Sequence, residues 1–274
     1  MKKVIILPLD NISNITSFME KLKEVFFVPS IRDLIAYIKV NDACHIYDGG
    51  VSLLHKVIHF LDEQGLDEVK IFLDLKLADT VGTIKNTLQH YVVFGSRIGI
   101  VTLSTSCSVD GICAAKKLLP DSKIALVSLL TDISEEECKF RYNDSPGAKI
   151  VDDLFGIIEW HRSNNKHNPL PFDAVVCSAL EVNAVRGALN NTESVNLEFI
   201  VPGIRDEWMV NDGDAGQQQR YTGVYEALKS GADILVMGAQ ITKGNPKKGI
   251  TPEQSIQRTF GEIQRFAKHN MQQE

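Results

Sequence analysis

Eight short apolar runs rich in β-branched residues recur along the chain, and a stretch of helical periodicity separates each from the next. The runs are Val4–Leu9, Ile35–Val40, Val69–Leu75, Ile98–Ser104, Ile124–Leu130, Ala174–Cys177, Phe199–Val201 and Ile234–Met237. Most are continuous rather than alternating, as strands of a parallel sheet become when helices cover them. Between them, Val51–Gln64 places Leu53, Leu54, Val57, Ile58 and Leu61 on one face and stops at Gly65. Val224–Ser230 stops at Gly231 in the same way. Starts of successive runs lie roughly 25 to 35 residues apart, the length of a βαβ unit. One interval, between the fifth and sixth runs, is about 50 and is read as a loop with an extra or longer helix. The tail from Pro252 to Glu274 reads as an amphipathic closing helix carrying Ile256, Phe260, Ile263 and Phe266. Eight β/α units in 274 residues predict one (β/α)8 barrel domain spanning residues 1–274, close to the usual size of about 250. A doubly wound open sheet is the alternative.

Composition narrows the function classes. With 29 Lys+Arg against 35 Asp+Glu, the net charge is −6, which argues against a nucleic-acid partner. Hydrophobic content of 44% and charged content of 23% exclude low-complexity disorder. No apolar run approaches the roughly 18 residues of a membrane span. The start, MKKVIILPLD, reads as a first strand rather than a signal peptide. Five scattered cysteines (Cys44, Cys107, Cys113, Cys138, Cys177) without a CxxC pair suggest reduced thiols and a cytoplasmic protein. His55 and His59 share a helix face but lack a zinc-protease glutamate, and Cys107 and Cys113 lack ligand partners, so no metal is expected. Dinucleotide, P-loop and hydrolase-serine motifs do not occur.

In a barrel of this kind the chemistry gathers at the C-terminal ends of the strands. The first run ends at Asp10, the second carries Lys39, and the third reads FLDLKLAD with Asp74, Lys76 and Asp79. Positions i and i+2 of a strand share a face, so Asp74 and Lys76 are expected to project together into the mouth. Lys39 and Asp79 would complete an alternating Lys–Asp–Lys–Asp row. The competing reading is a salt-bridge network that only stabilises the rim. The last run and its loop, GADILVMGAQITKG, suit an anion held by backbone N–H groups, with Gly203 and Gly238 allowing close approach.

The segment FLDLKLADTVGT resembles the D-x-K-x-x-D-I-P-x-T signature of the orotidine 5′-monophosphate decarboxylase family. LPLD, IKV, LLTD, VVCSA, PGIR and GADILVMGAQIT resemble the family's strand motifs in the same order. The resemblance implies a cytoplasmic, cofactor-free carboxy-lyase that makes UMP in pyrimidine biosynthesis, working as a homodimer with shared sites on a small nucleotide substrate. Carried over residue by residue, it implies that Asp10 and Lys39 hold the ribose and that Lys39 also joins the charged row. Asp74 would face the substrate carboxylate and Lys76 would donate the proton. Asp79 and Thr83 would reach into the partner's site, and Thr131 would lie by the pyrimidine. Arg205, Gln218 and the backbone at Gly238 and Ala239 would hold the phosphate.

Three positions depart from the pattern. Ala239 stands where the family has the arginine of GRPIT, which removes a bidentate phosphate donor. Thr80-Val81 replaces Ile-Pro, and Asp132 replaces a serine beside the pyrimidine subsite. These departures keep two alternatives open: a related barrel enzyme acting on another acid, phosphorylated or not, and a non-catalytic paralogue.

Overall fold

A computed structural model describes residues 3–10, 14–45, 48, 50–164, 168–190, 195–210 and 221–272. Its eight strands are β1 (Ile5–Pro8), β2 (Ile35–Val40), β3 (Lys70–Leu77), β4 (Ile98–Ser104), β5 (Lys123–Val127), β6 (Ala174–Val176), β7 (Glu198–Val201) and β8 (Ile234–Val236). All are parallel and join in sequence order, and β8 pairs with β1 to close the barrel. Helices α1 (Ile15–Phe26) and α2 (Pro29–Arg32) follow β1, α3 (Val51–Glu63) follows β2, α4 (Val81–Gln89) follows β3, and α5 (Val109–Leu118) follows β4. After β5 come α6 (Glu135–Tyr142) and α7 (Pro146–Asn164), so the long interval holds both an extra helix and a long one. Helix α8 (Ala179–Asn190) follows β6 and α9 (Val224–Lys229) follows β7, while α10 (Ala239–Thr242) and α11 (Pro252–Met271) complete the chain. No described helix is long and apolar enough to cross a membrane.

Strand alternation divides the buried side chains into two sets. Ile71 and Leu73 of β3 pack outward against the helices, within the large cluster that also takes Leu54, Val57 and Leu61 of α3. Phe72 points inward and joins Ile6, Ile100, Ala125, Ala174, Ile200 and Ile234, with Tyr37 against them. These residues plug the barrel. Continuing the same alternation upward places Lys39, Asp74 and Thr102 in the next layer, at the C-terminal mouth, level with Pro8 of β1, and Asp10 follows just beyond that strand.

Two strands end two or more residues away from the sequence-based expectation, and the other ends agree to within one residue. The fifth strand stops at Val127 rather than Leu130. Ser128 instead donates its hydroxyl to Asp153 Oδ2 on α7 at 2.6 Å, as does Thr105 from the end of β4 at 2.9 Å. Leu130 is exposed, and Thr131 lies in the following loop. The third strand runs on to Leu77, but not as a regular ladder. Its pairing with β4 jumps from Leu73↔Val101 to Leu77↔Leu103, four residues of one strand against two of the other. The stretch between is a bulge, and Lys76 within it adopts a left-handed backbone with φ 46°.

Candidate active site

The barrel mouth gathers four charges in one chain of contacts. Asp10 Oδ2 lies 2.8 Å from Lys39 Nζ, which lies 3.3 Å from Asp74 Oδ2, which lies 2.7 Å from Lys76 Nζ. Lys39 and Asp74 are buried. Burial pushes the Asp74 carboxyl upward, but the two ammonium charges and their hydrogen bonds outweigh it and hold the group below the usual carboxylate range.

Asp74 and Lys76 meet as expected, but not by simple alternation. A lysine at positive φ is strained backbone, and bulges beside functional sites re-aim side chains in this way. The Thr102 hydroxyl supports the bend. It accepts from the Lys76 N–H at 2.8 Å and donates to Asp74 Oδ1 at 3.1 Å. Asn41, just past β2, donates its Nδ2 to the Asp74 carbonyl at 2.6 Å. Sequence reasoning missed both supports. The sequence signal for Thr102 is a hydroxyl between Val101 and Leu103 inside the β4 run, and the structure buries it completely.

Asp79 does not join the row within one chain. Its carboxylate is exposed and accepts from the Thr80 N–H at 2.7 Å, and Thr83 is exposed in the first turn of α4. At the opposite side of the mouth, Arg205 is half-buried after β7. Its N–H donates to Thr222, and its guanidinium has no hydrogen bond or ion pair among the described residues. Gly238 caps α10 directly after β8, and Ala239 is exposed. A Cβ at Gly238 would come within 3.1 Å of Pro8, so that loop sits tight against β1. Gln218 lies outside the described residues. None of the five cysteines is in a disulfide among the described residues, and His55 and His59 are exposed on α3. Among the described residues no group of three or more His, Cys, Asp or Glu could hold a metal ion.

The sequence pattern of the orotidine 5′-phosphate decarboxylase / HUMPS family matches residues 6–250. The chain belongs to this family. Relatives named orotidine 5′-phosphate decarboxylase, a carboxy-lyase, include one from Wigglesworthia glossinidia brevipalpis, 32% identical over 74% of this chain and 82% of the relative. Another, from Streptococcus sanguinis, is 31% identical over 70% of this chain and 75% of its own. Among solved structures, the orotidine 5′-phosphate decarboxylase of Lactobacillus acidophilus shares the fold with TM-score 0.62 at 21% identity, covering 95% of this chain and 99% of that one.

Within this orotidine 5′-phosphate decarboxylase family barrel, Asp74 couples the charged row to acidity. Its folded pKa lies below its unfolded value, so its contribution to stability is present above the ordinary carboxylate range, about pH 4. That contribution is lost as pH falls through the depressed folded value. Between acid and neutral pH, the stability difference between wild type and Asp74→Asn should therefore grow in favour of the wild type. Urea midpoints measured along a pH series check this. Parallel curves would mean that Asp74 is not held ionised by its neighbours.

Proposed function

We propose that the chain is a cytoplasmic, cofactor-free orotidine 5′-monophosphate decarboxylase that forms UMP in pyrimidine biosynthesis. The supporting observation is Asp74 flanked by two ammonium groups at the barrel mouth of a chain in this family. Breaking the bond between ring and carboxylate leaves an electron pair on a vinylic carbon with little resonance help. Ammonium groups already in place favour that developing anion without reorganising at the moment of reaction. Lys76 Nζ then gives a proton to the ring carbon as CO2 departs, leaving product and a neutral amine. Asp74 adds a like charge near the substrate carboxylate, a destabilisation whose weight is contested for such sites.

Asp10 and Lys39 hold the ribose in this reading, and Thr131 borders the pyrimidine. Arg205, Gln218 and the backbone at Gly238 and Ala239 hold the phosphate, whose binding energy supports chemistry at the distant carbon. The exposed Asp79 and Thr83 complete the site of a second copy in a two-fold dimer. Ala239 and Asp132 favour one competing reading, a barrel enzyme of the same family acting on another acid.

Following the loss of orotidine monophosphate absorbance with purified protein separates the two readings. Lys76→Ala should abolish decarboxylation with the fold retained by circular dichroism, and EDTA should leave wild-type turnover unchanged. Turnover that survives Lys76→Ala would remove that lysine as proton donor, and chelator-sensitive turnover would favour the competing reading.

Shared sites have a sharper consequence. Asp79→Ala and Lys76→Ala should each be inactive alone, yet a mixture allowed to exchange subunits should regain about a quarter of wild-type activity, since the mixed dimer carries one intact site. Exchange without recovery would confine Asp79 to its own chain.

The phosphate end carries a further expectation. A charge-assisted contact is worth about 1.5–3 kcal/mol, so without an arginine at 239, phosphate-bearing ligands should bind roughly 10- to 100-fold more weakly than to a relative that has one. Ala239→Arg should tighten UMP and leave uridine nearly unchanged in parallel titrations. Equal changes for both ligands would place the phosphate elsewhere.

A further inference from the structure

Behind the two loops assigned to the phosphate lies a buried polar pair that the proposed chemistry does not use. Asp206 follows Arg205, and Gln240 follows Ala239. Both are buried, at 6% and 2% exposure. The Gln240 amide meets Asp206 twice: its Oε1 accepts from the Asp206 backbone N–H at 2.9 Å, and its Nε2 donates to Asp206 Oδ2. The same Nε2 also donates to Thr259 Oγ1 on α11 at 3.0 Å. Asp206 Oδ1 accepts from the Val224 N–H at the start of α9 at 3.0 Å. Gly223 makes that approach possible, because a Cβ there would lie 2.9 Å from Asp206 Oδ1.

We propose that the reciprocal Asp206–Gln240 pair is the positioning element that sets the spacing between Arg205 and the Gly238–Ala239 backbone, and so the affinity of the site for phosphate. This rests on the reading of those loops given above. The pair joins the loop after β7 to the loop after β8 through side chains one residue removed from each phosphate-facing position. Two hydrogen bonds in a ring define both distance and orientation, which one bond cannot. The pairing is directional as well: carboxylate oxygen must face amide N–H, and amide oxygen must face backbone N–H. Burial pushes the Asp206 carboxyl above its usual range, against the hydrogen bonds from Val224 and Gln240, so those donors are what the buried charge depends on. With no arginine at 239, this chain has fewer groups to hold a phosphate and depends more on where the remaining ones sit.

That directionality supplies the test. Asp206→Asn leaves one acceptor oxygen for two donors, Gln240 Nε2 and the Val224 N–H, so its Nδ2 must oppose one of them. Gln240→Glu sets two carboxylates face to face. The double substitution reverses donor and acceptor and restores the ring, with Thr259 able to donate to the new carboxylate. Each single variant should bind UMP roughly 10-fold more weakly with uridine nearly unchanged, and the double variant should regain most of the loss. Thermal melts establish that all four proteins are folded.

If the wild type decarboxylates orotidine monophosphate but the ratio of UMP to uridine affinity does not move, or the double variant fails to recover, the pair is only structural and the proposed function stands. If the wild type does not decarboxylate, the function fails, and inorganic phosphate then reads the pair on its own. It should bind more weakly to both single variants and like wild type to the double. Phosphate bound equally by all four proteins, or by none, overturns the inference.

Discussion

The carboxylate of Asp74 is the group around which the mouth of this barrel is organised. A buried carboxylate is costly unless charge and hydrogen bonds surround it. Here Lys39 and Lys76 supply the charge, and Thr102 and Asn41 tie down its hydroxyl-facing oxygen and its carbonyl. Each lysine in turn needs the carboxylate, since two ammonium groups so close would repel without it. The apolar plug of Ile6, Phe72, Ile100 and Ile200 beneath the row keeps its lower side dry. The proposed chemistry and the stability of the rim would therefore draw on the same contacts.

Ion pairs inside this barrel occur at both ends, which shows why position had to accompany residue type. Lys123 and Glu198 form a 2.6 Å pair at the N-terminal ends of β5 and β7. In composition they look no different from Lys76 and Asp74. Their place at the end of the barrel away from the loops marks them as structural.

Much of the fold was legible because parallel strands buried on both faces leave continuous apolar runs, and all eight runs became strands. The helix over Val51–Glu63 was legible from its apolar stripe and the glycine that follows. Asp10, Lys39, Asp74 and Lys76 were legible because polar residues at the ends of such runs are few. The bulge in β3 was not, since a left-handed backbone at a lysine has no compositional signature. The early end of β5 depends on Ser128 finding Asp153 on α7, a contact 25 residues away. The Asp206–Gln240 pair joins residues 34 apart through side-chain amide geometry, which periodicity does not encode. Sequence patterns report burial well, and long-range hydrogen bonds between particular side chains poorly.

Because β3 regains its pairing with β4 only after four residues have faced two, the length of the third strand is itself part of the site. Changes of chain length should thus be received very differently along this molecule. The α6–α7 region can lengthen or shorten outside the barrel, and it meets the ends of β4 and β5 through Asp153. Between Leu73 and Leu77, loss of a single residue could be absorbed by the ladder, which would become more regular and leave the apolar plug undisturbed. The cost would fall wholly on Lys76, turned out of reach of Asp74. Under the proposed chemistry a more nearly ideal barrel would then be a silent one, so this irregular stretch is where the scaffold and that reaction would pull in opposite directions.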